Sequence, residues 1–344
     1  MARSNTPQGE AWRSALRVTL LALAAAGTLA ACGGGGGGGS GPAAPAPAPA
    51  PAPPPPPPAP PPSGSTDPQA TLCTQFSKDL ARSEAGVNYL NTVRSAANAP
   101  LLTHNAAITD VIHRHVTYLI VNNEFTHYQT QGKPCFLGAA PADRFVAGSV
   151  GNYGFASESL AGVSGGTQAS DRDAIDLKLD SIYHRFVLLA AEAREAGVSG
   201  ANTVYGLNVG ARTVDTAPSN RVVLWPFAGQ GNVPTTFFSD LEQPDPVPER
   251  GEVGYPITVN VAPNMTLNVV NARLVDGAGN VVETRLLAPG RELARNQAAL
   301  VPLNPLAEQA NYTVSMRIQI NGMTQDVAYS FRTSSEKFRL EPRG

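Results

Sequence analysis

Asp180 and His184 stand four residues apart in a stretch of helical period, so their side chains share one face of the expected helix. An ordinary surface ion pair is the plain reading of such a pair, while imidazole and carboxylate are also suitable ligands for a divalent ion if further ligands converge on them. His113 and His115 are two apart and point in different directions. No His-Glu-x-x-His string accompanies them. His115 is expected near the core face or lining a cleft, and His113 in solvent; neither is taken as a metal ligand. Gly162-Val163-Ser164-Gly165-Gly166 fits the Gly-x-Ser-x-Gly string of nucleophile elbows, whose serine must sit on a sharp turn from strand into helix. Ser164 instead precedes a polar run over 167–170 with no strong strand before it, which reads as a flexible loop. Gly148, Gly151 and Gly154 likewise lack the strand-then-helix context of a dinucleotide site.

The elements that must position such residues come from hydrophobic period. Leu80, Val87, Leu90 and Val93 mark one helix, which Pro100 ends. Ile108, Val111, Ile112, His115, Leu119 and Ile120 mark an amphipathic helix over 106–121, with Thr103 or Asn105 as its cap. Ile175, Leu179, Ile182, Phe186 and Leu189 mark a third over 171–195. Asp171 and Asp173 suit its positive end, and Gly197 is expected to stop it. Between them, 125–166 is turn-rich and shows no period. Runs over 204–209 and 221–227 read as strands. Segregated elements of this kind predict an α+β fold with an antiparallel sheet.

A succession of fragments then carries a resemblance. Leu90-Asn91-x-x-Arg94, Pro100-Leu101 with Asn105, His115-x-x-Tyr118-Leu119 with Asn122, Thr126-His127, Glu158, Tyr183-His184-Arg185 and Gly206-x-Asn208-x-Gly210 occur in one order. Over about 140 residues this resembles the CAP superfamily of cysteine-rich secretory proteins, antigen 5 and pathogenesis-related-1 proteins, in its bacterial extracytoplasmic form. The resemblance implies an α-β-α sandwich around an antiparallel sheet, with a cleft of two histidines and two acids. His127, Glu158 and His184 match three of these positions. Asp180 is the candidate for the fourth, Ser159 stands where the family has asparagine after the glutamate, and His104 where many members have tryptophan.

If the four converge, His127 and His184 could ligate zinc or a similar ion, with an open position to activate water. A hydrogen-bonded network that only shapes the cleft is the other use. The resemblance, which includes lipid binding within the family, places binding of a small apolar or amphipathic ligand, or of an envelope partner, ahead of catalysis. No cofactor is required by that reading. The alternatives are a metal-assisted hydrolase of envelope peptide or glycan, with Glu158 as general base, and a purely structural envelope adhesin.

The ends of the chain bear on where it works. Arg3, Arg13 and Arg17 precede an apolar stretch over 18–29 and Leu29-Ala30-Ala31-Cys32, which looks like a lipoprotein export signal (1–31) with Cys32 lipidated. A glycine run and a proline-alanine run follow, making 32–69 a tether that cannot bury apolar surface. Export permits disulfides, so Cys73 and Cys135 are expected to join, two free thiols being the alternative. Charge is nearly balanced, 25 Lys+Arg against 27 Asp+Glu, and no basic tract survives once the leader is set aside, which excludes a nucleic-acid partner. The membrane enters through the lipid alone. The expected place is the periplasm or cell surface, and the outer membrane if the cell has two.

A first unit is expected over 70–240. Pro244-Asp245-Pro246-Val247-Pro248 reads as a stiff joint. Over 250–335, β-patterned runs at 257–261, 267–274, 281–286, 312–320 and 327–333 alternate with hairpin signals at Asp276-Gly277 and Asn321-Gly322. This second unit resembles the immunoglobulin-like β-sandwiches of bacterial surface proteins, notably in Tyr312-Thr313-Val314 and Ser330-Phe331-Arg332-Thr333, without their Cys-Trp-Cys core.

Overall fold

The computed structural model describes residues 68–162, 170–212 and 221–335. The expected export signal, Cys32 and the tether lie outside the described residues, as does Ser164 with most of its glycine string.

The first unit runs α1 (Pro68–Cys73), α2 (Leu80–Ala96), β1 (Thr103–His104), α3 (Ala106–Asn122), α4 (Pro141–Ala147), β2 (Phe155–Gly162), α5 (Asp171–Asp180), α6 (Ile182–Leu188), β3 (Glu195–Ala201) and β4 (Val204–Ala211). The Asp79 side chain accepts from the Arg82 amide to start α2. Asn105, one of the two expected caps, accepts from the Ala107 and Ile108 amides to start α3. Asn123 closes α3 in the left-handed region, where a short polar side chain is tolerated.

The four strands pair in the order β1-β3-β4-β2, with only β1 and β3 parallel. One face meets α3 at close range. A Cβ on Gly197 would lie 2.3 Å from the Thr109 backbone nitrogen, and one on Gly206 2.4 Å from Ile112 Cδ1, so only glycine lets helix and sheet approach here. The other face carries Val198 and Leu207, which share a core with Val87 and Leu90 of α2 and Ile175 and Leu179 of α5. The result is the expected α-β-α sandwich.

Local order departs from the periodicity in three places. The helix expected over 171–195 breaks at Ser181, whose backbone is extended (φ −92°, ψ 156°), and 195–201 is strand β3. Gly197 is therefore no terminator; it is the point where β3 presses on α3. The break is stabilised by a side chain of α6: fully buried Arg185 donates to the carbonyls of Leu179 (2.6 Å) and, in the second unit, Pro256 (2.7 Å). The stretch 125–166, which shows no period, holds α4 and β2, both too short to display one.

The third departure concerns 221–227. Its strand, β5 (Val223–Trp225), does not join the first sheet. It precedes β6 (Thr236–Phe238), β7 (Glu252–Gly254), β8 (Ile257–Asn260), β9 (Leu267–Asp276), β10 (Val281–Val282), β11 (Thr284–Leu287), β12 (Gln297–Pro302), β13 (Asn311–Ile320) and β14 (Met323–Arg332). Two antiparallel sheets, β11-β12-β8-β5 and β10-β9-β13-β14, face each other across Ile257, Val259, Leu300, Leu274, Val314, Ile318 and Phe331. This is the β-sandwich, and β5 shows that its sheet reaches back across the proline-rich segment. Strict alternation along β13 buries Tyr312, Val314, Met316, Ile318 and Ile320 and exposes Thr313, Ser315 and Arg317. Asn321 and Gly322, both at positive φ, close the β13–β14 hairpin as their sequence predicts.

The two units share one apolar core, in which Leu188 and Leu189 join Val223 and Trp225. A polar chain crosses the same boundary. Trp225 Nε1 donates to the Tyr255 hydroxyl (2.8 Å), which donates to Asp180 Oδ1 (2.8 Å).

Candidate functional site

Glu158 lies on β2, the outermost strand of the first sheet, with its side chain fully buried. His127 and Gln129 come from the loop after α3, His115 from α3 and Arg144 from α4. The loop is held at several points. Cys135 is disulfide-bonded to Cys73 of α1, joining the pair the sequence suggested. Asn122 Nδ2 donates to the Pro134 carbonyl (3.0 Å), and the Thr130 amide donates to the Tyr118 hydroxyl (2.9 Å).

His127 Nδ1 donates to Glu158 Oε1 (2.9 Å). Arg144 Nη2 donates to Glu158 Oε2 (2.7 Å), and Nη1 to the His127 carbonyl (3.1 Å). One guanidinium thus neutralises the acid and fixes the backbone of the histidine beside it. His115 Nε2 lies 3.4 Å from Glu158 Oε1 and donates to the Thr126 carbonyl at 3.1 Å.

The tautomer of His115 follows from its neighbour. Gln129 Oε1 accepts from the amides of Leu137 (2.7 Å) and Gly138 (3.4 Å), which orients the side-chain amide. Gln129 Nε2 then faces His115 Nδ1 at 2.8 Å and donates to it. Nε2 of His115 accordingly carries a proton, and Arg144 stands beside it as a cation that answers Glu158. Burial would raise the Glu158 carboxyl, but the charge field of His115 and Arg144 and the hydrogen bonds from His115 and His127 outweigh it and hold the group well below its usual range.

The sequence expectations meet this geometry unevenly. His127 and Glu158 come together in direct contact. Asp180 and His184 stand on two helices, because the break at Ser181 removes the continuous turn that four-residue spacing needs. Asp180 accepts from Tyr255 at the boundary with the second unit. His184, 1% exposed, pairs its Nδ1 with Ser181 Oγ at 3.1 Å, and its helix α6 packs beside β2. His115, not taken as a ligand, is a central member of the cluster. His113 is buried and not solvated, bonded to Ser199 Oγ and the Phe76 carbonyl. Arg144 is a member of the cluster that the sequence does not mark; its one signal is the short Pro141-Ala142-Asp143-Arg144 helix start inside an otherwise aperiodic stretch.

His127 Nδ1 is committed to Glu158 and His184 Nδ1 to Ser181, and a guanidinium covers the second oxygen of Glu158. Among the described residues no group of three or more His, Cys, Asp and Glu side chains is placed to hold an ion.

Residues 87–208 match the family model CAP, the cysteine-rich secretory protein family. Among solved structures, the chain is similar to an extracellular protein containing an SCP domain from Bacillus anthracis, at 25% identity over 43% of this chain and 45% of that one, TM-score 0.33. It is also similar to an outer surface protein from Borrelia burgdorferi, at 17% identity over 37% of this chain and 90% of that one, TM-score 0.31. A cysteine-rich secretory protein from Staphylococcus aureus is similar at 14% identity over 39% and 40% of the two chains, TM-score 0.30. The chain spans less than half the length of the Bacillus protein. No curated sequence relative matches. No helix among the described residues is long and apolar enough to cross a membrane.

Proposed function

We propose, from the premise that residues 87–208 form a CAP domain, that this protein is an exported, lipid-tethered envelope protein whose cleft binds a small apolar or amphipathic ligand or an envelope partner. The observation that carries the reading is the closed Arg144–Glu158–His127 cluster. A carboxylate with both oxygens engaged, held well below its usual pKa, has no proton to give near neutral pH and is a poor base to receive one. Its use is to hold a rigid polar wall against which a ligand can be oriented. The lipidated Cys32, the tether and an immunoglobulin-like role for the sandwich as spacer or docking platform belong to the same proposal and rest on the sequence alone.

The test is uptake of an environment-sensitive fluorescent fatty probe by the purified protein. The expected outcome is saturable one-to-one uptake, weakened about tenfold in Glu158→Gln, a change equivalent to about 1.4 kcal/mol. Absence of uptake by the unaltered protein overturns the reading. So does hydrolysis of envelope peptide or glycan that is lost in His127→Ala.

A further inference from the structure

Lys178 of α5 is 1% exposed, and among the described residues its ammonium makes no hydrogen bond or ion pair. The carboxylates whose charge reaches it are Asp171 and Glu158. Each is already answered by an arginine. Arg82 grips Asp171 through Nε–Oδ2 (2.6 Å) and Nη2–Oδ1 (2.7 Å), and Arg144 grips Glu158. Lys178 is therefore a surplus buried cation, the kind of group that interiors retain only with a partner.

A second buried group, on the strand that α5 packs against, has the same deficit. Ser159 Oγ is fully buried on β2 and has no hydrogen-bond partner. The ladder sets Ser159 opposite Leu207, which lies opposite Val198, so all three face α2 and α5. Helix α5 packs on β2, and β2 is the outermost strand of its sheet. Lys178 and Ser159 thus belong to one seam at the sheet edge, and neighbouring Glu158 points to the opposite face.

We propose that the α5–β2 seam is a binding site for a small oxyanion, a carboxylate or a phosphate, with the Lys178 ammonium as counter-charge and the Ser159 hydroxyl as second donor. This goes beyond the cleft reading, because the seam lies across the sheet from the Glu158 cluster. The charged groups around it are Asp171 of α5 with Arg82 of α2 and, acting through the sheet from its other face, Glu158 of β2 with Arg144 of α4; they cancel in pairs, which leaves the anion as the missing partner. Burial already pushes the Lys178 amine down to about 7, so an anion that restores its charge draws in a proton when it binds above that pH.

The experiment is calorimetric titration of the full chain with sodium acetate and, separately, inorganic phosphate. Both are run at pH 8 in two buffers of different ionisation enthalpy, at constant ionic strength set with chloride. The expected result is one saturable site for at least one of the two anions, with uptake of up to one proton. Acetate without phosphate assigns a carboxylate ligand, and the reverse assigns a phosphate. Binding and proton uptake vanish in Lys178→Met, survive in Lys178→Arg without the proton, and weaken about tenfold in Ser159→Ala. No saturable binding of either anion, or binding unchanged in Lys178→Met, overturns the proposal. Loss of fatty-probe uptake in Glu158→Gln bears on the cleft alone, and loss of oxyanion binding in Lys178→Met on the seam alone.

Discussion

Replacing Lys178 by Met removes a buried charge while keeping an unbranched chain of similar reach, so its effect on stability must depend on pH in a calculable way. The amine falls from an ordinary 10.5 to about 7 in the folded protein, and burial is the cause. At about 1.36 kcal/mol for each unit, charging this group in the folded state costs about 5 kcal/mol. Below pH 7 the lysine is protonated in both folded and unfolded chains, and the full cost is present. Between pH 7 and 10.5 the unfolded chain holds more protons, so wild-type stability rises with pH and the cost fades. Urea unfolding of both proteins should therefore show Lys178→Met more stable by about 5 kcal/mol at pH 6 and by only about 1 kcal/mol at pH 10, apart from a constant packing difference. Other titrating groups cancel because the two chains share them. A gap that stays flat from pH 6 to pH 10 refutes the reasoning, since it would mean that Lys178 is not charged at a cost in the folded state. Acetate or phosphate bound at the seam should narrow the gap at pH 6, which links this measurement to the proposed site.

Three other perturbations test separate parts of the structure. Arg144→Met strands the buried Glu158 carboxylate and should cost about 3–5 kcal/mol at pH 7, while the double variant Arg144→Met, Glu158→Met should recover most of it; equal losses by urea unfolding would contradict the pairing. Glu242, fully buried with one carboxylate oxygen unpartnered, has its pKa pushed up to about 7 by burial. The sign here is opposite to that of Lys178: stability is lost as pH rises from about 4.5 through 7, so Glu242→Gln should gain about 3 kcal/mol on the wild type between pH 4 and pH 9. Gly197→Ala, which drives a methyl to 2.3 Å from the Thr109 nitrogen, should destabilise by more than about 2 kcal/mol, whereas Gly231→Ala, with nothing within 4 Å, should stay within about 0.5 kcal/mol; thermal unfolding distinguishes them.

What could be read from the chain, and what could not, divides along the range of the interactions involved. The helix α3, its Asn105 cap, the β13–β14 hairpin at Asn321-Gly322 and the pairing of Cys73 with Cys135 were legible because each rests on nearby residues or on a count of cysteines. The apolar stripe of α3 and the strict alternation of β13 are single-element patterns that one face of burial imposes. His127 and Glu158 could be named only through resemblance, since nothing in their own segments marks them. Tertiary structure alone decided the rest. It broke the helical period at Ser181, because Arg185 satisfies the Leu179 carbonyl that a continuous helix would have paired and ties the break to the second unit through the Pro256 carbonyl. It gave 221–227 to the sandwich, because β5 finds its hydrogen-bond partner in β8, more than thirty residues away. It made Arg144 the counter-charge of Glu158 and left Lys178 without one, because a charge acts through space on whichever groups the fold brings near, and sequence distance carries no information about that.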